Sequence, residues 1–320
     1  MNDATVHPPQ LCDATRFCKF GGRVVNQPVL ERKLFNTSAI GGLRRIVFEL
    51  LQEHAAAGED GLPTSARFLF YELVVREVLK KHSEHNGSGR RPDQVLHDAL
   101  TDLREAGLVP WDWIVDETRS LDDYTGFDSI KQAALWTAKF TARLDPWRGR
   151  APLTLTESRS LAGVLRKLVR KYCAKIAATN GQVGGFLHTD IAPILSPGDR
   201  VLYAGDYDHQ GGQIEDNTRR VLEQIIGGEL NWTRIALTEA QVEQYDLKRL
   251  EIMKPDRRYK PVRFHPAIET EALQQQVIVQ IVHDALDAEL PEPLDRVLER
   301  ERRQRREVER LLTAKKGGAS

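Results

Sequence analysis

Three carboxylates follow apolar, strand-like runs in this chain. Glu157 closes the alternating stretch Leu153-Thr154-Leu155-Thr156, and Asp206 and Asp208 flank Tyr207 just after Val201-Leu202-Tyr203-Ala204-Gly205. In extended chain, residues i and i+2 point the same way, so both aspartates face one point if that geometry persists past the strand. Carboxylates gathered at one sheet edge repel each other unless a hard cation sits among them. Mg²⁺ suits such a set, because it takes oxygen ligands from one or two carboxylates, keeps several waters and leaves room for a phosphate. The same spacing equally fits two aspartates in a surface turn and one exposed glutamate.

Directly after Glu157 comes a run of positive charge. Arg159, Arg166, Lys167, Arg170, Lys171 and Lys175 occur between Ser158 and Lys175 with no acidic residue among them. A basic stripe beside a metal site suits a polyanion, although a solvated helix face has the same pattern. Earlier in the chain Arg67 precedes Tyr71 by four residues, which places the two on one face of a helix. A guanidinium there can grip a phosphate through two hydrogen bonds and ease the charge on a phenolate. Phe68, Tyr71, Val75 and Val78 also form a helical stripe, so Tyr71 fits a core aromatic as well. No GxxxxGK[ST] or GxGxxG motif is present, which argues against a P-loop or dinucleotide site.

The helices and strands around these residues are legible as patterns. Thr37 or Ser38 can cap a helix carrying Ile40, Leu43, Ile46, Val47, Leu50 and Leu51 at helical spacing, up to the Gly58 to Pro63 punctuation. Thr64 or Ser65 can cap a second helix, Ala66 to about His82. A third runs from Pro92 or Asp93 with Val95, Leu96, Ala99, Leu100 and Leu103 inward and Gly107 as its stop. The β-rich Leu108 to Asp116 fits the wing of a winged helix-turn-helix module, and a three-helix bundle with one strand fits it too. Residues from about 121 to 148 read as helical. From about 151, strand and helix alternate, with a helix through Leu161 to Ala174, the strand Arg200 to Asp206 and a helix from about Gln213 to Ile226, which predicts an α/β domain around a mostly parallel sheet. Ligands of such sheets bind at the carboxyl ends of the strands, where the three carboxylates fall.

Composition narrows the class. The 320 residues carry 46 Lys+Arg and 46 Asp+Glu with 41% hydrophobic residues, enough for about two globular domains and too balanced for a histone-like protein or an acidic tail. Cys12, Cys18 and Cys173 are an odd set without CxxC spacing, which argues against a disulfide framework or zinc finger and for a reduced compartment. Neither a signal-like start nor an apolar run of about 18 residues occurs, so a cytoplasmic protein with no membrane partner is expected.

Taken in order, Arg67-Phe68-Leu69-Phe70-Tyr71, Glu157, and Gly205-Asp206-Tyr207-Asp208 resemble the A subunits of topoisomerase VI and the related meiotic double-strand-break proteins, which join an Arg-x-x-x-Tyr winged helix to a Toprim domain. Gly107 to Arg119 and Ile235 to Val242 are similar to short stand-alone members of actinobacterial genomes and phages. The resemblance spans roughly residues 40 to 285. In the family the glutamate is often followed by Lys-Asp, and a Pro and a small residue follow the Asp-x-Asp; here Ser158-Arg159 and His209-Gln210 take those places.

The resemblance implies a mixed α/β fold: an N-terminal arm over 1–36, a winged-helix DNA-binding domain over 37–120, a helical connector over 121–150, a Toprim-type parallel α/β domain over 151–286 and a charged C-terminal helix over 287–320. It implies Mg²⁺-dependent DNA cleavage in which Tyr71, aided by Arg67, attacks a backbone phosphate and leaves a 5′-phosphotyrosyl link. Glu157, Asp206 and Asp208 would hold the ion, and Arg159, Arg166, Lys167, Arg170 and Lys171 would meet double-stranded DNA. In the family the tyrosine of one protomer works with the carboxylates of the other, which implies a homodimer in a nucleoid-associated setting and a separate GHKL-type ATPase subunit for any strand passage. A Toprim metal-dependent hydrolase and an inactive DNA-binding scaffold are the competing expectations.

Overall fold

In the computed structural model, which describes residues 17–20, 23–26, 32–80, 91–115, 126–179, 184–256 and 263–313, the first elements are two short strands. β1 (Phe17–Phe20) and β2 (Arg23–Asn26) pair antiparallel, Phe17 opposite Asn26, in a stretch whose sequence predicts only a loosely packed arm. The sequence between them is Gly21-Gly22, a dipeptide suited to two-residue hairpins. The strands are too short for a hydrophobic period to show.

Three helices follow. Ser38 accepts a hydrogen bond from the Gly41 N–H and opens α1 (Ala39–Ala56); Ser65 does the same for the Phe68 N–H and opens α2 (Ala66–Val75). α3 (Pro92–Glu105) begins on a proline, whose missing N–H costs nothing in a first turn. Leu43, Val47, Leu50 and Leu51 of α1 meet Leu69 and Leu73 of α2 and Leu96, Ala99, Leu100 and Leu103 of α3 in one buried cluster with Trp113 and Ile114. α2 stops well short of the expected His82, since Glu77 adopts a positive φ of 58° that ends helical bonding; residues 81 and 82 lie outside the described residues.

The expected β-rich wing takes another form. Trp111–Trp113 is a single 3-10 turn entered through Pro110, and extended pairing shrinks to one bridge. There the Thr64 N–H donates to the Trp113 carbonyl at 2.8 Å and the Val115 N–H to the Thr64 carbonyl at 2.9 Å. Asp116, at the end of the expected wing, is outside the described residues. The connector is shorter than its pattern suggests: α4 (Ile130–Trp136) runs into a wide turn at Thr137–Thr141, and residues 121–125 are not among those described.

The parallel sheet is built from β3 (Leu153–Thr156), β4 (Lys175–Ala178), β5 (Arg200–Ala204) and, past the short strand β6 (Tyr207–Asp208), β7 (Asn231–Ala236). Their order is β4-β3-β5-β7, all parallel, which requires crossovers; α5 (Arg159–Lys171) links β3 to β4 and α6 (His209–Ile226) lies between β5 and β7. All of β3 and all of β5 but Arg200 are buried, as expected of strands covered on both faces. The order reverses between β3 and β5, so the switch point of this sheet lies where Glu157 and Gly205 follow those strands. A Cβ on Gly205 would stand 2.6 Å from the Tyr203 ring, which reserves that exit from β5 for glycine.

α7 (Glu239–Gln244) begins in a full capping box between Thr238 and Gln241. β8 (Ile252–Asp256) and β9 (Arg263–Ile268) then join β6 in an antiparallel sheet ordered β6-β9-β8. α8 (Gln275–Glu289) and the charged α9 (Leu294–Thr313) complete the described elements. The chain forms two compact units that interleave in sequence. The first comprises Met1–Asp116, Asp206–His209 and Leu237–Val279; the second comprises Glu117–Gly205, Gln210–Ala236 and Gln280–Ser320. The result is a mixed α/β protein with a parallel-sheet region and a separate helical region. Among the described residues no helix is long and apolar enough to cross a membrane.

Candidate functional site

Helix α2 has two working faces. Leu69 and Leu73, one turn apart, belong to the apolar core of the first unit, whereas Arg67 and Tyr71, also one turn apart, meet carboxylates. Tyr71 is only 3% exposed, yet its hydroxyl donates a hydrogen bond to Oε2 of Glu269. Arg67 pairs with the same carboxylate, Nη2 to Oε2 at 3.0 Å, and through Nε with Glu271 Oε1 at 3.3 Å. Glu269 follows β9 and Glu271 lies in the 3-10 turn Thr270–Ala272.

That turn also fixes Asp206. The backbone N–H and the hydroxyl of Thr270 both donate to Asp206 Oδ1, at 3.0 and 3.2 Å. The other oxygen of Asp206 faces Lys254, whose ammonium donates to Asp206 Oδ2 at 3.3 Å and to Asp208 Oδ2 at 2.9 Å and lies 3.7 Å from Glu269 Oε1. Sheet register explains the reach. Asp208, Ala267 and Ile252 form one row across β6, β9 and β8, and Lys254 lies two residues along β8 on the same face, with the small Ala267 between it and Asp208. The two aspartates therefore do converge on one point, and Lys254 stands at it.

Among the described ion pairs, Arg67 and Lys254 meet the carboxylates of Asp206, Asp208, Glu269 and Glu271. Burial raises the Glu269 carboxyl above its ordinary pKa, with Arg67 pulling the other way. Burial works against the charge on Lys254, but Asp206 and Asp208 outweigh it and raise its pKa. Arg67 is likewise raised, its desolvation more than offset by Glu271, Glu269 and Asp206.

The remaining expected residues lie in the second unit. Glu157 follows β3, and its N–H donates to the Ala204 carbonyl at the end of β5 at 2.9 Å. On α5, capped by Ser158, the residues Leu161, Ala162, Val164, Leu165 and Val169 are buried, while Arg159, Arg166, Lys167, Arg170 and Lys171 lie outside that buried face. Among the described residues no group of three or more histidine, cysteine, aspartate or glutamate side chains is arranged to hold a metal ion. The oxygen donors of Asp206 and Asp208 do suit Mg²⁺, which one or two carboxylates and several waters commonly hold.

Glu269, Glu271 and Lys254 are not singled out by the sequence reading. One signal was available: Glu269-Thr270-Glu271 repeats, after the apolar end of β9, the i, i+2 carboxylate spacing of Asp206 and Asp208 after β5. Lys254 gives none, because a lysine in a short alternating strand is ordinary. No protein-family model, curated protein or solved structure matches this chain.

Proposed function

We propose that this protein cleaves double-stranded DNA by transesterification, Tyr71 attacking a backbone phosphate and forming a 5′-phosphotyrosyl link. The observation that carries this reading is the hydrogen bond from the Tyr71 hydroxyl to Glu269, inside a group that also holds Arg67, Lys254 and Asp206. A phenol of pKa near 10 attacks poorly unless a neighbour accepts its proton. Glu269, raised by burial, accepts a proton more readily than an ordinary carboxylate. As the Tyr71 oxygen bonds to phosphorus, its proton passes to Glu269 and the sugar 3′-oxygen leaves. Arg67, one turn before Tyr71, holds a phosphate oxygen by charge-assisted hydrogen bonds.

Asp206 and Asp208 would hold Mg²⁺, which when bound supplies positive charge for the phosphate and the leaving oxygen. The cations of α5 would follow the DNA backbone. A homodimer with one such tyrosine per protomer would cut both strands, and ATP-driven strand passage would need a separate subunit, as the resemblance implies.

A second reading draws on the burial of Tyr71, which is 3% exposed and tied into an ion-pair network: the tyrosine is structural, and a metal-activated water cuts the DNA. One experiment separates the two. The protein is incubated with end-labelled duplex and Mg²⁺, quenched with denaturant and examined for label that migrates with protein. A covalent adduct supports transesterification, cutting without adduct supports the hydrolase, and binding with neither, even with candidate ATPase partners added, leaves a scaffold.

A further inference from the structure

We infer that Lys254 is a tethered cation standing in the place of a divalent ion at Asp206 and Asp208, so that an ion enters only by displacing it. The inference rests on the proposed role of these aspartates as ion ligands. Its basis is the position of the ammonium, with one oxygen each of Asp208, Asp206 and Glu269 at 2.9, 3.3 and 3.7 Å. A divalent ion such as Mg²⁺ sits about 2.0–2.1 Å from its carboxylate oxygens. An ion taking those same two aspartate oxygens would compete with Nζ for them, and the two positive charges would repel. Both cannot stay.

The lysine is built to leave. β8 lies at the edge of its three-stranded sheet, and the Lys254 side chain is 28% exposed on a flexible four-carbon stem. Swinging it outward requires rotation about side-chain bonds and no break in the β8–β9 ladder. Until then its ammonium pairs with the carboxylates of Asp206, Asp208 and Glu269. An ammonium released from the aspartates as an ion arrives is then free to meet a phosphate.

The test uses Mn²⁺ alone as probe, on the full chain without DNA. Mn²⁺ binding is measured by titration calorimetry and by the loss of the free-ion electron paramagnetic resonance signal. Lys254→Met keeps most of the stem and removes the charge; the expected result is an affinity gain of about tenfold or more over wild type. Adding Asp208→Asn to Lys254→Met should erase the gain, and Mn²⁺ should raise the melting midpoint of Lys254→Met more than that of wild type. Where the Met variant does not fold, Lys254→Gln takes its place. Equal Mn²⁺ affinity in wild type and Lys254→Met would overturn the displacement idea and leave the aspartates as ion ligands. A gain that survives Asp208→Asn would place the ion elsewhere and overturn it too. No Mn²⁺ binding by any variant would remove the ion reading itself, and the inference with it.

Discussion

Tyr71→Phe removes one oxygen and leaves the ring, so it separates packing from chemistry. The ring keeps its edge-on packing against Phe70, at 5.7 Å between centroids and 88° between planes, and opens no cavity. What goes is the hydrogen bond to Glu269, a kind worth about 1.5–3 kcal/mol when one partner is charged. Glu269 retains Arg67 at 3.0 Å and is 15% exposed, so it is not stranded. The expected loss is therefore at the low end, about 1–2 kcal/mol. For a chain of 320 residues that lowers the melting midpoint by roughly 1.5–3 °C. The variant should fold, bind duplex DNA with wild-type affinity and form no covalent adduct. Thermal or urea unfolding gives the first quantity, fluorescence anisotropy the second and the denaturant-quenched label the third. An adduct that persists in Tyr71→Phe moves the nucleophile elsewhere. A stability loss above about 4 kcal/mol would refute the energetic argument, since one hydroxyl in partly wet surroundings cannot supply it.

Replacing Arg166, Lys167 and Arg170 by Gln should weaken duplex binding and flatten the log–log salt dependence by about 0.9 for each phosphate no longer neutralised; an unchanged slope removes α5 from the DNA interface. His54 is buried with both ring nitrogens on acceptors, Nδ1 on the Gly61 carbonyl and Nε2 on Glu72, each at 2.9 Å. Burial lowers its pKa, but Glu72 and the Gly61 carbonyl outweigh it and raise it above the ordinary value. The resulting stability is present below about pH 6.5, the unfolded value, and is lost as pH rises through the higher folded value. Melting midpoints across that window should fall for wild type and much less for Glu72→Gln; equal slopes would count against the pair. Gln275, buried, donates through Nε2 to the carbonyls of Gly61 at 2.8 Å, Pro63 at 3.1 Å and Asp60 at 3.3 Å. Gln275→Leu should cost about 1–3 kcal/mol in urea unfolding, and no change would mean those carbonyls find other donors.

Local chemistry makes much of the fold legible. Ser38 and Ser65 announce their helices because an N-cap is decided within four residues, and Leu96, Ala99, Leu100 and Leu103 announce the buried face of α3 by period alone. β3, β5 and the helices after them follow from runs and alternation in the same way. The wing does not, because Pro110 and the inward-packed Trp113 favour a tight turn over strand pairing that has no partner nearby in sequence. For the candidate site, the convergence of Asp206 and Asp208 is readable from i, i+2 spacing. What fills their shared point is not, since Lys254 arrives only through the β6-β9-β8 register. The i, i+2 spacing of Glu269 and Glu271 is readable too, but the pairing of Glu269 with Arg67 and Tyr71 is not, being a matter of long-range closure rather than of pattern.

That closure spans 198 residues between Tyr71 and Glu269. At roughly 5–20 residues per second, a ribosome needs on the order of 10–40 s to add the acceptor after it has added the phenol. During that interval the growing chain already has the leucines that pack α1 to α3, while Arg67 and Tyr71 still lack both of their carboxylates. The hydrogen bond of the Tyr71 hydroxyl to Glu269 is thus withheld until translation has passed Glu269. Termination between those two codons yields a fragment with the phenol and without the carboxylate that its hydroxyl bonds.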